Sequence, residues 1–151
     1  MWKQIFKTVL IAGFLDIAAA CTQAYLSKAV TPDIVLKYIA SGVFGKTAFS
    51  GGFGYMLFGL IIHFFIVFSY TVIYFLVYPK LKLLHNSILL SSLFIALISW
   101  AITTRLIIPL SKIDSPTFNF TKATIALTIL YFCIGLPIAF FAKHFYNKKQ
   151  I

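Results

Sequence analysis

Residues 40–47 read ASGVFGKT, which satisfies the pattern [AG]-x-x-x-x-G-K-[ST] through Ala40, Gly45, Lys46 and Thr47. In a true P-loop, backbone N–H groups cradle the phosphates, the lysine reaches the β/γ-phosphates and the hydroxyl holds Mg²⁺. A second kind of chemistry is offered by Asp16 and His63, an acid and an imidazole that each stand inside a long apolar run. Brought together, they would form a proton- or cation-handling pair. The two cysteines, Cys21 and Cys133, lie far apart in the chain and make no CxxC redox or metal motif.

Which chemistry is open depends on the elements that carry these residues. Of 151 residues, 61% are hydrophobic and only 11% charged. Soluble domains hold roughly 45–50% apolar and about 25% charged residues, so a soluble fold is excluded. Four stretches approach the roughly 20 apolar residues that cross a hydrocarbon core: about 5–24, 54–77, 87–109 and 121–142. They nearly exhaust the chain. The expected fold is therefore one all-α integral membrane domain over residues 1–151, with four transmembrane helices in a compact bundle. The net charge of +10 is carried by lysines scattered singly among short loops. That pattern fits anionic lipid headgroups and excludes a nucleic-acid surface, which needs a basic stripe or helix.

Asp16 interrupts the first apolar run just before Ala18-Ala19-Ala20-Cys21, which imitates a lipobox. An acid at that point and three further spans argue against a cleaved, lipidated leader. The basic residues split seven to six between the two sides. The pairs Lys80/Lys82 and Lys148/Lys149 share one side, which predicts both termini in the cytoplasm.

Each span carries small or polar residues at helical spacing: Gly13, Asp16, Ala20 and Gln23; Gly59, His63, Tyr70 and Tyr74; Ser92, Ala96, Ser99 and Thr103; Thr124, Thr128, Tyr131, Gly135 and Ala139. Such stripes face neighbouring helices, because small residues let backbones approach and hydroxyls bond across. Counting ~1.5 Å per residue puts Asp16 about 16 Å and His63 about 21 Å above the inner edge. An Asp16–His63 contact is expected, with Gln23 and Tyr70 on the same stripes. Arg105, about 27 Å up and turned roughly 200° from Thr103, is placed at the outer headgroups. Pro137 is expected to kink the fourth helix.

The segment between the first two spans answers the opening pattern. Thr31 is a good N-cap, Pro32 a good first residue, and Ile34, Val35, Tyr38, Ile39 and Val43 recur at helical spacing. This predicts a short amphipathic helix over about 32–44 in the first external loop, so the residues before Gly45 are helical rather than a buried strand. No nucleotide is expected there, and no cofactor or metal elsewhere. Gly45, Gly51 and Gly52 instead form a hinged loop in which Lys46 meets a lipid phosphate or an anionic ligand.

The run YIASGVFGKTAFSGG, then His63, then Tyr78-Pro79-Lys80-Leu81-Lys82, resembles a group of short bacterial inner-membrane proteins. The stretch from the second span through the third is more distantly similar to the YagU-like inner-membrane family. The resemblance implies a multi-pass protein of the bacterial inner membrane and carries over no catalytic residues. Three functions follow as expectations. The first is a non-enzymatic packing, accessory or interaction protein with a homo-oligomeric or membrane partner. The second is a small proton- or ion-coupled transporter using Asp16 and His63. The last is a lipid-modifying enzyme, for which no nucleophile–base pair stands out.

Overall fold

The computed structural model describes residues 1–114 and 118–147, which are almost wholly helical with no strand among them. Lys148 and Lys149, counted above toward the topology, lie outside the described residues. Helix α1 (Trp2–Lys28) ends where Ala29 turns left-handed (φ 53°) and returns its N–H to the Ala24 and Tyr25 carbonyls. Helix α2 (Pro32–Phe44) starts on proline after Thr31 and stops at Gly45, whose φ of 67° suits a residue without a Cβ. A single turn, α3 (Thr47–Ser50), leads into α4 (Phe53–Val77). A 3₁₀ turn over Tyr78–Lys80 and the short α5 (Leu83–Asn86) reverse the chain into α6 (Ile88–Ile102).

The remaining helices are broken by the same device. A π-turn over Thr103–Ile107 precedes α7 (Ile108–Leu110), and another over Tyr131–Gly135 joins α8 (Phe120–Leu130) to α9 (Leu136–Asn147). Each π-turn ends two residues before a proline, with Ile108 before Pro109 and Leu136 before Pro137 in between. Proline has no N–H and its ring crowds the carbonyl four residues back. The residue before it reaches one carbonyl further: Ile108 N–H bonds Thr103 O, and Leu136 N–H bonds Tyr131 O. The chain stays helical at both prolines, and the strain is taken up by a wide turn.

Four helical stretches, Trp2–Lys28, Phe53–Lys80, Ile88–Leu110 and Phe120–Asn147, are long and apolar enough to cross a membrane. α1 packs between α4 and the fourth stretch, and α6 packs on the other side of the fourth stretch. The order across the molecule is therefore second, first, fourth, third. α4 and α6 barely touch along their backbones, so a crevice runs between them. The core is filled by Ile5, Val9, Val67, Phe75, Ile95, Ile134 and Ile138.

Two glycines set the closest crossings. Gly59 lies directly under the Leu36 carbonyl, so α2 rests on the backbone of α4. A Cβ at Gly135 would come within 2.5 Å of the Ser92 carbonyl oxygen, which fixes the fourth stretch against α6. The face α2 turns to α4 includes buried Ala40 and Ser41, while Ile34, Tyr38 and Val43 of the apolar set stay exposed. At the far end, Tyr146 donates to the Phe75 carbonyl at 2.7 Å and stacks on Tyr78 at 5.3 Å. His85 Nε2 donates to the Tyr78 carbonyl at 2.8 Å.

One stripe differs from its expectation. Thr124 and Thr128 are exposed, and their hydroxyls donate to Phe120 and Thr124 carbonyls four residues back. Gly135 and Ala139 of that stripe are buried as expected, and Leu130, Ile134, Ile138 and Ala142, stepping by four, complete the inward face. A run of fours is longer than the 3.6-residue α-turn, and the π-turn is what accommodates it.

Candidate functional site

The polar residues of the first three stretches converge on the interior. α1 turns Ile5, Thr8, Val9, Ala12 and Gly13 inward, and Asp16 continues that row one turn on, partly buried. From α4, buried His63 approaches α1 and Tyr70 points toward α6. His63 Nε2 donates to the Gly13 carbonyl oxygen at 3.0 Å. Gly13 permits this because the Phe64 ring lies where a Cβ would be, which lets α1 and α4 close together.

His63 thus takes a backbone carbonyl one turn before Asp16, rather than the carboxylate itself. Asp16 remains within electrostatic reach of His63, Tyr70 and Cys133, a residue of the fourth stretch's π-turn. Its carboxylate has no hydrogen bond and no ion pair among the described residues. An acid at the centre of an apolar helix costs roughly 2.5–3.5 kcal/mol on insertion scales, so one without a partner is an unusual feature to retain.

Tyr70 carries the polar path on to the third stretch. Its hydroxyl lies 2.8 Å from Thr103 Oγ1 and 3.3 Å from the Ser99 carbonyl, bridging the α4–α6 crevice. The crevice has a volume of about 130 Å³, is almost wholly apolar, and is lined also by Tyr74, whose buried hydroxyl lies by that of Ser91. On the other flank of Asp16, Leu136 N–H is taken by Tyr131 and Pro137 has none. The carbonyls of Phe132 and Cys133 therefore receive no helical donor from those two positions.

Gln23 stands apart from this cluster, since its Nε2 donates to Ser27 Oγ at 2.9 Å within its own helix. Arg105 is exposed in the first π-turn and lines a groove beside the fourth stretch, away from Tyr70. The loop glycines behave separately. Gly45 packs on the Lys112 side chain, Gly51 sits against the Tyr55 ring, and Gly52 has open space around it. Lys46 is exposed and leads into α3.

The P-loop pattern fails in the backbone. Ala40 to Phe44 are in α2, the Gly45 N–H bonds the Ser41 carbonyl, and Thr47 Oγ1 donates to the Phe44 carbonyl at 2.8 Å. Residues that would form the open loop of a P-loop are therefore helical, with the Gly45 N–H turned back on α2. Beyond the long helices, the Thr31 side chain beside Asp33 holds that carboxyl below its ordinary range.

Sequence reasoning did not foresee the Gly13 carbonyl as a partner of His63, since a backbone acceptor leaves no signature. It also did not place Cys133 near Asp16. Comparison with protein-family models, with curated proteins and with solved structures gives no match. Among the described residues, the fold and site define four long apolar helical stretches with one inward acid that has neither hydrogen bond nor ion pair.

Proposed function

We propose that the chain is a multi-pass protein of the bacterial inner membrane that binds or passes protons or small monovalent cations at Asp16. The membrane part is supported by an exterior of exposed Phe6, Leu10, Phe14, Phe65, Leu93 and Phe140, which water would not tolerate as a continuous belt. The observation that carries the function is the Asp16 carboxylate, inward-facing and without a hydrogen bond or ion pair among the described residues. Intramembrane acids of this kind mark ion and proton pathways. Tyr70, Thr103 and the carbonyls beside Pro137 supply polar groups on either side of it, and half-broken helices in transporters use freed carbonyls in this way.

A second reading is favoured by the His63–Gly13 bond: the polar residues hold two helices in register, and the protein acts as an accessory or interaction bundle. Buried polar contacts do fix registry in some systems. Proton flux separates the two. Purified protein in liposomes with an internal pH dye is compared with Asp16→Asn, which keeps the side chain's shape. Flux in the wild type that Asp16→Asn abolishes is the expected result. A folded wild type that passes neither protons nor Na⁺ or K⁺ sinks the conduction reading and leaves the accessory one.

A further inference from the structure

A groove of about 510 Å³ opens between the third and fourth stretches where α7 and α8 approach. Its lining combines polar Arg105, Lys122, Thr104 and Asn119 with apolar residues, among them Trp100 and Ala126. Arg105 and Lys122 are both exposed and have no ion pair among the described residues. The Asn119 side-chain Oδ1 already accepts the Lys122 main-chain N–H at 3.0 Å, and the Thr104 hydroxyl donates to the Trp100 carbonyl at 2.8 Å. What the side-chain heads still offer is mostly N–H donors: a guanidinium, an ammonium and the Asn119 amide. Guanidinium groups match phosphate oxygens in a bidentate geometry, and an ammonium adds a second positive charge.

The apolar part is equally informative. A free phosphate needs no floor of tryptophan and alanine, whereas the acyl chains attached to a lipid phosphate do. We propose that this groove binds the phosphodiester headgroup of an anionic glycerophospholipid, with Arg105 and Lys122 on the phosphate and the acyl chain along Trp100 and Ala126. The proposal rests on the membrane part of the functional reading and is independent of Asp16. Two cations against one phosphodiester favour a headgroup whose charge is not cancelled by its own amine, so phosphatidylglycerol is held over phosphatidylcholine.

The chain has two tryptophans, Trp2 and Trp100. In a Trp2→Phe background, Trp100 alone reports on the groove through quenching by lipids brominated on their acyl chains. Vesicles of phosphatidylcholine containing brominated phosphatidylglycerol are compared with vesicles in which the bromine is carried by the phosphatidylcholine. Half-maximal quenching is expected at roughly one twenty-fifth of the mole fraction for phosphatidylglycerol, from a factor of about 5 for each of the two basic residues near a membrane surface. Arg105→Gln with Lys122→Gln is expected to bring the two curves together while leaving quenching by phosphatidylcholine unchanged. Equal curves in the unsubstituted groove, or a preference that survives the double substitution, overturn the proposal. A preference erased by inorganic phosphate at constant ionic strength assigns the site to the free anion instead. No quenching by any brominated lipid removes both this site and the membrane reading, a result that liposome flux through Asp16 would not by itself produce.

Discussion

Gly59 and Gly54 stand on the same helix and differ in what a methyl group would meet. At Gly54 a Cβ has no heavy atom within 4 Å, while at Gly59 it would run into the Leu36 carbonyl and the backbone carbon behind it. In a helix interior, glycine to alanine is worth up to about 1 kcal/mol in backbone propensity, and less near an end such as Gly54. That gain is common to both sites, so Gly54→Ala is expected to stabilise by a few tenths of a kcal/mol to about 1 kcal/mol. At Gly59 the obstruction is main chain, which cannot rotate aside as a lysine tip would. Overpacking a tight site costs about 1–3 kcal/mol, so Gly59→Ala is expected to be neutral to about 2 kcal/mol destabilising. The readout is equilibrium unfolding in mixed micelles, followed by helical circular dichroism. Loss should appear as loosening of α2, with faster amide exchange over Leu36 to Gly42. Equal stability of the two alanine variants would refute the reasoning, because it would mean that α2 does not rest on α4 at Gly59.

Other consequences are open to direct measurement. In a double-mutant cycle, Tyr70→Phe and Thr103→Val should couple by about 0.6 kcal/mol and no more than about 1.7, the range found for hydrogen bonds between membrane helices; a coupling near zero would mean that the Tyr70 hydroxyl does not tie α4 to α6. The Asp33 carboxyl is held low in the folded chain, so the support it gives α2 is full above the ordinary carboxylate pKa of ~3.9. That support is lost as pH falls through the lowered folded value. Thr31→Ala should move the Asp33 titration, followed by NMR, back toward the ordinary value; an unmoved titration would exclude Thr31 as the cause.

The long helices were legible because length and apolarity alone define them. The inward rows of the second and third stretches were legible too, since His63, Tyr70, Ser92, Ala96 and Ser99 recur at α-helical spacing and are buried, whereas in the first only Gly13 of the expected stripe is buried. The fourth row was misjudged at Thr124 and Thr128. A proline announces that an N–H is missing, but it does not announce which carbonyl the preceding residue will take. Choosing Tyr131 over Phe132 changed the face that α8 presents. The partner of His63 was hidden for a related reason: counting rise along the helices brought the histidine and Asp16 to neighbouring levels, yet the backbone carbonyl of Gly13 is the acceptor it takes. Lys122 and Arg105 were legible as lying at the same end of the bundle, but their meeting in one groove depends on how the chain returns between two helices.

The two wide turns before Pro109 and Pro137 also bear on how this chain tolerates change in length. A π-turn is an α-helix carrying one residue more than its hydrogen bonds require. Removing one residue from 131–135 would restore a regular helix and leave the faces beyond it in place, because Leu130 and Ile138 would then stand seven residues apart, within about 20° of one line. Ile138, Ala139 and Ala142 would stay in the core. The same deletion in the regular part of α8 would swing every later side chain by about 100° and reassign the faces, so the wide turn is the place where this helix can lose a residue.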